Sequence, residues 1–356
     1  MEGLEKVLEG CERTGLAKLR HELERQWNGS GDWRLVGHEP LLPRGNRVSR
    51  LRFARDAEVR SLIAKRLEPA MARRSELIAR RWLPSIGLDG ACPLLLGSVA
   101  ASDGSYIWHF YEDLGHWEWG NPDPESERVR STIALIARIH TRFADHALLG
   151  EIRMHGPDYG IHFYETNVHD AICALKAVKP QPEHRQLCAR LLERLAQLHE
   201  ELPVRMQVLA EFGGPETLLH GDLWTINVFY SGNGVGFQPR LIDWDRTGVG
   251  PVSYDLSTFL LRFPESRRWR VFALYERAVA RVGWQLPGRK VLNALFETAE
   301  LARYANRVIW PAIALAQDGA DWGFPELEAI DQWFEELRPV LPPSAVEMAE
   351  PLQWAQ

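Results

Sequence analysis

The sequence predicts an α+β fold with two lobes, a small antiparallel sheet with one helix and a larger part that is mostly helical. Two observations lead to this prediction. Between residues 33 and 114, short runs of β-favouring residues alternate with turn residues. After residue 114, apolar residues recur at helical spacing over most of the chain. We therefore predict a helical extension at 1–32, a sheet lobe at 33–114 and a helical lobe at 115–356.

The elements of the first third follow from local patterns. Leu4, Leu8, Leu19 and Leu23 recur at roughly helical spacing, which predicts an amphipathic helix or helix pair that ends at the turn residues 28–32. Strands are predicted at 33–42, 48–53, 59–67, 93–99 and 106–111, with turns at 43–47, 54–57 and 102–104. One helix is predicted at 71–82, ending before Pro84.

The remainder reads as helices with one β interruption. Apolar residues on one broad face predict buried helices at 131–143, 187–202, 271–282, 291–309 and 327–337. Two β-favouring runs at 228–230 and 237–242 flank the turn residues 231–234, which predicts a hairpin. The hairpin follows a motif-rich segment and is the one β element expected in this lobe.

Composition and charge exclude several classes of protein. The net charge of −6 argues against a nucleic-acid-binding protein, because such proteins carry a surplus of Lys and Arg. The N-terminal residues are charged throughout, and no apolar run is long enough to cross a membrane. Four cysteines without CxxC spacing favour reduced thiols. We expect a cytoplasmic protein without a membrane partner, whose oligomeric state the sequence does not give.

The segment 218–228 and the end of the next strand carry the residues suited to chemistry. Phosphoryl transfer needs a carboxylate to orient the attacking hydroxyl and accept its proton, and hard oxygen ligands for Mg²⁺ beside the triphosphate. Asp222 can supply the first, and Asn227 and Asp243 can supply the second. The loop between residues 222 and 227 and the hairpin that follows predict that these three side chains converge.

These residues resemble a known family. His220-Gly221-Asp222, then Asn227, then Ile-Asp-Trp-Asp at 242–245, is similar to the aminoglycoside phosphotransferase and choline kinase superfamily, which has the protein-kinase-like fold. The resemblance continues through the segment 248–257. It implies that Asp222 is the catalytic base, that Asn227 and Asp243 are magnesium ligands, and that His220 braces the catalytic loop without reacting. It also implies a structural role for Asp255.

The resemblance extends upstream into the nucleotide-binding lobe. Lys65 on the third strand corresponds to the lysine that contacts the nucleotide phosphates, and Glu76 to the acid that holds that lysine, with Glu68 as a competitor. Asn46 lies in the segment similar to the short loop over the phosphates. The segment 111–114, with Glu112 and Leu114, resembles the hinge whose backbone groups pair with the adenine edge. The implied cofactors are Mg²⁺ and ATP or GTP, bound between the lobes.

Other functions were weighed against this one. A His-x-Asp pair can begin an iron site, but no histidine follows His220 to complete it. Asp222 and Asp243 could be a glycosidase acid pair, yet such a pair has no use for Asn227 at fixed spacing. Asp245 could contact a second magnesium ion or cap the following turn. A nucleotide-binding pseudokinase scaffold also remains an alternative.

The acceptor is the least determined part of the prediction. We expect a small hydroxylated molecule, sugar-like or an aminocyclitol such as an antibiotic, and a role in antibiotic resistance. The alternative is a metabolic kinase of choline, homoserine or another small alcohol. Some tryptophans of the helical lobe could stack on an acceptor ring. Acidic residues near Trp322 could hold an ammonium group or form a solvated face.

Overall fold

The chain packs into two compact units. The computed structural model describes residues 1–27, 32–41, 47–115, 123, 126–231 and 238–342 of the 356-residue chain. The sheet unit comprises Met1–Gly120 and Ile226–Asp245, and the helical unit comprises Asn121–Thr225 and Arg246–Gln356. The bounds differ from the predicted ranges in three respects, because residues 1–32, residues 115–120 and the hairpin segment 226–245 all belong to the sheet unit.

The first part of the sheet unit alternates helices and strands as the sequence predicts. Its elements are α1 (Leu4–Val7), α2 (Arg13–Gln26), β1 (Arg34–Pro40), β2 (Val48–Arg55), β3 (Glu58–Leu67), α3 (Pro69–Leu77), a π-helical turn (Ile78–Trp82), α4 (Leu83–Ser85), a 3-10 turn (Asp89–Ala91), β4 (Leu95–Ala100) and β5 (Ile107–Glu112). The helix predicted at 71–82 continues past Pro84. It can do so because this proline lies in the first turn of α4, where its missing N–H is not needed.

The five strands form one antiparallel sheet in the order β1-β2-β3-β5-β4. Arg55 pairs with Glu58, so a two-residue turn joins β2 to β3, and Asp56 takes a positive φ of 53° there. Between β4 and β5, the Asp103 carboxylate accepts a hydrogen bond from the Ser105 amide at 2.9 Å, and Gly104 has a φ of 73°. Both turns lie where the sequence predicts them.

One face of this sheet is covered by the N-terminal helices. Leu62 and Ala64 of β3 are fully buried in a core with Leu19 and Leu23 of α2. Gly97 on β4 allows the close approach, because a Cβ there would lie 2.7 Å from Leu19 Cδ1. Residues 1–27 are therefore the second layer of the sheet unit.

The remaining elements are mostly helical. In chain order they are α5 (Glu127–Phe143), α6 (Leu149–His155), α7 (Ile161–Ala177), a 3-10 turn (Pro182–His184), α8 (Arg185–Phe212), β6 (Thr217–Leu219), a 3-10 turn (Thr225–Asn227), β7 (Val228–Ser231), β8 (Gln238–Leu241), a 3-10 turn (Trp244–Arg246), β9 (Gly248–Gly250), α9 (Ser253–Leu260), α10 (Glu265–Ala280), α11 (Arg289–Asp318) and α12 (Gly323–Glu336). Two of these helices run beyond their predicted ends, α8 through Pro203 and α11 through Pro311.

The core of the helical unit joins α7, α8, α11 and α12. Helix α11 is the central element, since it packs against α7, α8, α9 and α12. The short strands β6 and β9 pair with each other and are not part of the predicted hairpin. None of the helices in the described part of the chain is both long enough and apolar enough to cross a membrane.

Candidate active site

The hairpin β7–β8 brings two predicted magnesium ligands to one end of the sheet unit. Val228 pairs with Leu241, and the Ile242 amide donates to the Asn227 carbonyl at 2.9 Å. Asn227 and Asp243 therefore flank the open end of the same hairpin. Asp243 has a φ of 64°, a left-handed conformation that non-glycine residues adopt at a cost and that concentrates at functional sites.

Lys65 makes ion pairs with two carboxylates of this segment. Its Nζ lies 2.6 Å from Asp243 Oδ1 and 2.8 Å from a carboxylate oxygen of Asp245. The side chain of Lys65 is only 18% exposed, so these charges interact with little screening by water. The strand β3 and the hairpin are thus linked by a lysine between two aspartates.

Burial and charge shift the pKa values of this group. Burial lowers the pKa of the Lys65 ammonium, but Asp243 and Asp245 raise it, and the net direction is upward. Burial raises the pKa of the Asp245 carboxyl, Lys65 opposes that rise, and Asp243 adds to it. Nearby, burial and then the Lys65 charge lower the pKa of His109 to about 4, so this imidazole is neutral at physiological pH.

The predicted partnership between Lys65 and Glu76 is wrong. Glu76 instead pairs with Arg80 at 3.1 Å and with Arg73 at 3.6 Å, one turn away on either side. The face of α3 that turns toward Asp245 carries Arg74, which donates to the Asp245 carbonyl, and Ser75, which lies 3.5 Å from its carboxylate. Helical rotation of about 100° per residue places Glu76 on another face.

A cavity of about 870 Å³ in the sheet unit contains this cluster. That volume is within the usual range for small-molecule and cofactor sites. Its walls come from β2, β3, α3, the end of β5 and the residues around the hairpin; among the lining residues are Val48, Arg50, Ile63, Lys65, Ser75, Tyr111, Glu112, Leu114, Asn227, Asp243 and Asp245. Five of the predicted site residues thus line one cavity: Lys65, Glu112, Leu114, Asn227 and Asp243.

The predicted hinge residues Glu112 and Leu114 both line this cavity, but they differ in the hydrogen bonds that they form within the protein. The Glu112 carboxylate accepts from the Leu94 amide at 2.7 Å and pairs with Arg240, and the Glu112 amide donates to the Leu94 carbonyl at 3.0 Å. The Leu114 amide forms no hydrogen bond with another residue in the described part of the chain. Asn46, predicted in the loop over the phosphates, lies outside the described residues.

A buried ion pair fixes the segment that follows β5. Arg50 on β2 is 4% exposed, and its Nε lies 2.6 Å from Asp113 Oδ2. The same guanidinium donates to the Gly115 carbonyl at 3.1 Å. Sequence reasoning did not identify Arg50, because nothing in a strand sequence shows that a charged residue pairs across the sheet.

The predicted base and its neighbour His220 lie in the helical unit. The loop begins after β6, and the amides of His220 and Gly221 donate to the Asp255 carboxylate at 2.7 and 2.9 Å. The Asp222 amide donates to His220 Nδ1 at 3.3 Å, and the Asp222 carbonyl accepts from the Trp224 amide at 2.8 Å. The backbone around Asp222 is therefore held on both sides.

Two glycines let neighbouring backbones approach this loop closely. Gly221 has a φ of 79°, and a Cβ there would lie 2.0 Å from the Arg246 carbonyl oxygen. A Cβ on Gly248 would lie 2.1 Å from the Pro157 carbonyl oxygen. Either contact excludes a side chain, so both positions require glycine.

Comparisons with known proteins agree with this fold and motif. Residues 41–295 match the model of the phosphotransferase enzyme family (APH). The comparison with curated proteins found no match. Among solved structures, a spectinomycin phosphotransferase in complex with ADP and spectinomycin has a TM-score of 0.55 at 11% identity, over 90% of this chain and 95% of that one.

Two further structures are kinases of small alcohols. An ethanolamine kinase of Plasmodium vivax has a TM-score of 0.55 at 11% identity, over 88% of this chain and 86% of its own. A choline kinase of Streptococcus pneumoniae has a TM-score of 0.50 at 14% identity, over 90% and 99%. The likeness confirms the predicted two-lobed, protein-kinase-like α+β fold. The family match covers well over half of the chain, which therefore belongs to the phosphotransferase enzyme family and is a small-molecule phosphotransferase.

Proposed function

We propose that this enzyme transfers the γ-phosphoryl group of ATP or GTP, with Mg²⁺, to a hydroxyl of a small molecule. One observation carries the proposal: Lys65, Asp243 and Asp245 converge in a cavity of about 870 Å³ that Asn227 also lines. A cation and hard oxygen donors in one cavity of this size suit a magnesium–nucleotide complex. ADP in the spectinomycin phosphotransferase structure supports a nucleotide donor.

The residues of the cavity fit a magnesium ion. The Lys65 ammonium is itself a cation held by both aspartates, so their oxygens already converge on one positive charge. The side-chain amide oxygen of Asn227 would be a further ligand for the ion, beside the carboxylate of Asp243. In the described part of the chain, no three His, Cys, Asp or Glu side chains are grouped to hold a metal by themselves. Magnesium here would take further ligands from the nucleotide phosphates, as it usually does.

In this proposal each residue has a defined task. Asn227 and Asp243 hold Mg²⁺, which offsets the charge of the phosphates when bound, and Lys65 contacts the phosphates. The backbone at Leu114 pairs with the base, which its unbonded amide supports. Glu112 has a structural role in this scheme, because its carboxylate and amide are already bonded within the sheet unit.

Asp222 orients the acceptor hydroxyl and receives its proton. As that proton leaves, the hydroxyl oxygen forms a bond to the γ-phosphorus, and the bond from phosphorus to the bridging oxygen breaks, releasing the nucleoside diphosphate. His220 and Asp255 do not react; they hold the loop so that the Asp222 carboxylate keeps its position. The hydrogen bonds of both residues to the loop support this assignment.

For the acceptor we propose a sugar-like hydroxylated compound, of which an aminocyclitol antibiotic is one form. Spectinomycin bound to a protein with the same fold supports that class. The choline and ethanolamine kinases support the alternative, a small metabolic alcohol. A cytoplasmic location belongs to this proposal, because ATP and GTP are supplied there.

The test is transfer of labelled phosphate to a panel of hydroxylated acceptors, with and without Mg²⁺. Asp222→Ala should lower transfer about 100- to 10,000-fold, the usual contribution of a general base, and leave nucleotide affinity within a few-fold. Asp321→Ala, at an exposed carboxylate in the same unit, is the control and should transfer normally. Turnover retained by Asp222→Ala, or no transfer to any acceptor despite bound magnesium–nucleotide, would refute the proposal.

A further inference from the structure

An arginine stacks on the loop that carries Asp222. The guanidinium of Arg262, which follows α9, lies 3.7 Å from the ring centroid of Trp224. The Trp224 amide in turn donates to the Asp222 carbonyl at 2.8 Å. The stacking holds the Arg262 side chain against the loop, and the residue is nevertheless exposed. A cation is thereby held against the loop that carries the proposed base.

A second exposed arginine, Arg307, lies on α11. Arg307 is exposed, and its charge interacts with those of Asp222, Arg246 and Arg303. Arg303, one turn earlier, is used internally, since it pairs with Glu300 and donates to the Tyr254 carbonyl at 3.0 Å. Among the residues that the structure describes, Arg307 has no such partner, which leaves its guanidinium available to a ligand.

The third arginine, Arg246, adjoins the loop through its backbone. Its carbonyl oxygen accepts from Tyr159 and lies where a Cβ on Gly221 would clash. Within the described residues, Arg246, Arg262 and Arg307 form no ion pair with any carboxylate, although the charges of Glu300 and then Asp222 attract Arg262, and that of Asp222 attracts Arg307. Three like charges without paired carboxylates form a surface that favours an anion.

We propose that the acceptor carries an anionic group, a carboxylate or a phosphate, and that Arg262 and Arg307 bind it beside Asp222. This inference rests on the proposed function, because it takes Asp222 as the base. The planar guanidinium binds carboxylate and phosphate oxygens in a bidentate manner. The same charges repel ammonium groups, so among the acceptors of the proposed function they favour an anionic sugar-like compound over the aminocyclitol form and over choline.

The acidic residues near Trp322 do not change this conclusion. Asp318, Asp321, Glu326 and Glu328 are all exposed, at the far end of α11 and the start of α12. Eleven residues of helix, at 1.5 Å each, separate Asp318 from Arg307 by roughly 16 Å. They therefore belong to a different surface from the arginines around Asp222.

The first experiment asks which charge class of molecule is phosphorylated. A deproteinised bacterial extract is separated by ion exchange into anionic, neutral and cationic pools, and each is incubated with Mg²⁺ and γ-labelled ATP or GTP. Label above the Asp222→Ala blank should appear in the anionic pool. Label confined to the neutral or cationic pool overturns the inference and leaves the proposed function intact. No label in any pool refutes the proposed function, and the inference with it.

A second arm separates the two sources of negative charge. Part of the anionic pool is treated with phosphatase, which is then removed before the reaction. Labelling that survives the treatment identifies a carboxylate acceptor, and labelling that is lost identifies a phosphorylated one. Both results support the inference, and each names the group that the arginines bind.

The third experiment asks whether the arginines bind the acceptor or the nucleotide. Arg262→Gln and Arg307→Gln should each raise the KM for the labelled acceptor by roughly 10- to 100-fold, the value of one charge-assisted hydrogen bond. The KM for the nucleotide should stay within about two-fold. Arg277→Gln removes an exposed arginine of α10 without an ion pair and should change neither constant.

Two results of these variants would overturn the inference. One is an unchanged acceptor KM in both, and the other is a raised nucleotide KM with the acceptor KM unaltered. Arg262→Lys and Arg307→Lys keep the charge but lose the bidentate geometry, so they should fall between wild type and the glutamine variants. Equal melting temperatures for all variants and wild type verify that the kinetic changes do not come from unfolding.

Discussion

Lys65 is the residue on which two acidic side chains of the cavity in the sheet unit converge. Its ammonium offsets part of the negative charge of Asp243 and Asp245, which would otherwise repel each other more strongly in a partly buried position. The proposed function gives the same lysine a second task, contact with the phosphates. Because one side chain serves both, its removal should affect the ligand-free protein as well as nucleotide binding.

Lys65→Met should weaken nucleotide binding roughly 10- to 100-fold, because one charge-assisted contact to the phosphates is lost. It should also lower the melting temperature in the absence of Mg²⁺, since two neighbouring carboxylates lose their cation. Added Mg²⁺ should therefore raise the melting temperature of the variant more than that of wild type. Calorimetry and thermal unfolding with and without Mg²⁺ measure both effects.

Lys179→Met, at an exposed lysine, is the control and should behave as wild type. An unchanged nucleotide affinity in Lys65→Met would contradict the prediction.

Among single residues, the sequence motifs predicted correctly which side chains converge where those side chains are close along the chain. Asn227 and Asp243 are brought together by one hairpin, whose turn residues are visible in the sequence. Glu76 was assigned wrongly, because a single sequence does not show which face of α3 turns toward the hairpin. The arginines at 246, 262 and 307 were not identified either, since they come from three separate elements that only the folded helical unit brings near Asp222.

Helix α9 anchors the loop that carries Asp222 through its first turn. The Asp255 carboxylate accepts two backbone hydrogen bonds from the loop and lies 3.5 Å from His140 Nε2. Burial raises the pKa of this carboxyl, but the hydrogen bond from His140, the charges of both histidines and the backbone donors lower it, and the net direction is downward. The folded state thus favours the ionised form.

Asp255→Asn should destabilise the protein by about 3 kcal/mol at neutral pH, since charge-assisted hydrogen bonds to a buried group are lost. The folded pKa lies below the unfolded one, so this stabilisation is complete above the unfolded value of about 4 and is lost as the pH falls toward the folded value. The difference between wild type and variant should therefore shrink below about pH 4. Urea unfolding across this range measures it, with Glu328→Gln on the exposed face of α12 as control. A difference that does not change with pH would contradict the prediction.

The ends of elements were less predictable than their existence. Helix periodicity identified parts of α8 and α11, but both run on through a proline. Pro311 is buried within the core of the helical unit, so neighbouring helices hold a segment that the local sequence disfavours. The strands β6 and β9 have three residues each, which is too short for any alternation to be recognised.

At the scale of the whole molecule, the two faces of the sheet have different tasks. One face packs against the N-terminal helices, and the other lines the cavity. Successive residues of β3 point to opposite faces, as in any strand. Leu62 and Ala64 lie in the core with α1 and α2, whereas Ile63 and Lys65 line the cavity of about 870 Å³. The N-terminal helices therefore support the face opposite the proposed site. Amphipathic periodicity predicted these helices, but it could not show what their apolar face covers, which is why 1–32 was expected to be a separate extension.

This arrangement predicts that the N-terminal helices stabilise the sheet without taking part in nucleotide binding. Leu23 on α2 is fully buried in the shared core, so Leu23→Ala should cost about 2–5 kcal/mol of the free energy of unfolding. Nucleotide affinity, measured well below the melting temperature, should stay near the wild-type value because the cavity lies on the other face. Urea unfolding can be followed by tryptophan fluorescence, to which Trp27 and Trp33 in this core contribute among the fourteen tryptophans of the chain. Lys18→Ala, at an exposed position of the same helix, should change stability little, and an equally small effect of Leu23→Ala would mean that the helices do not support the sheet.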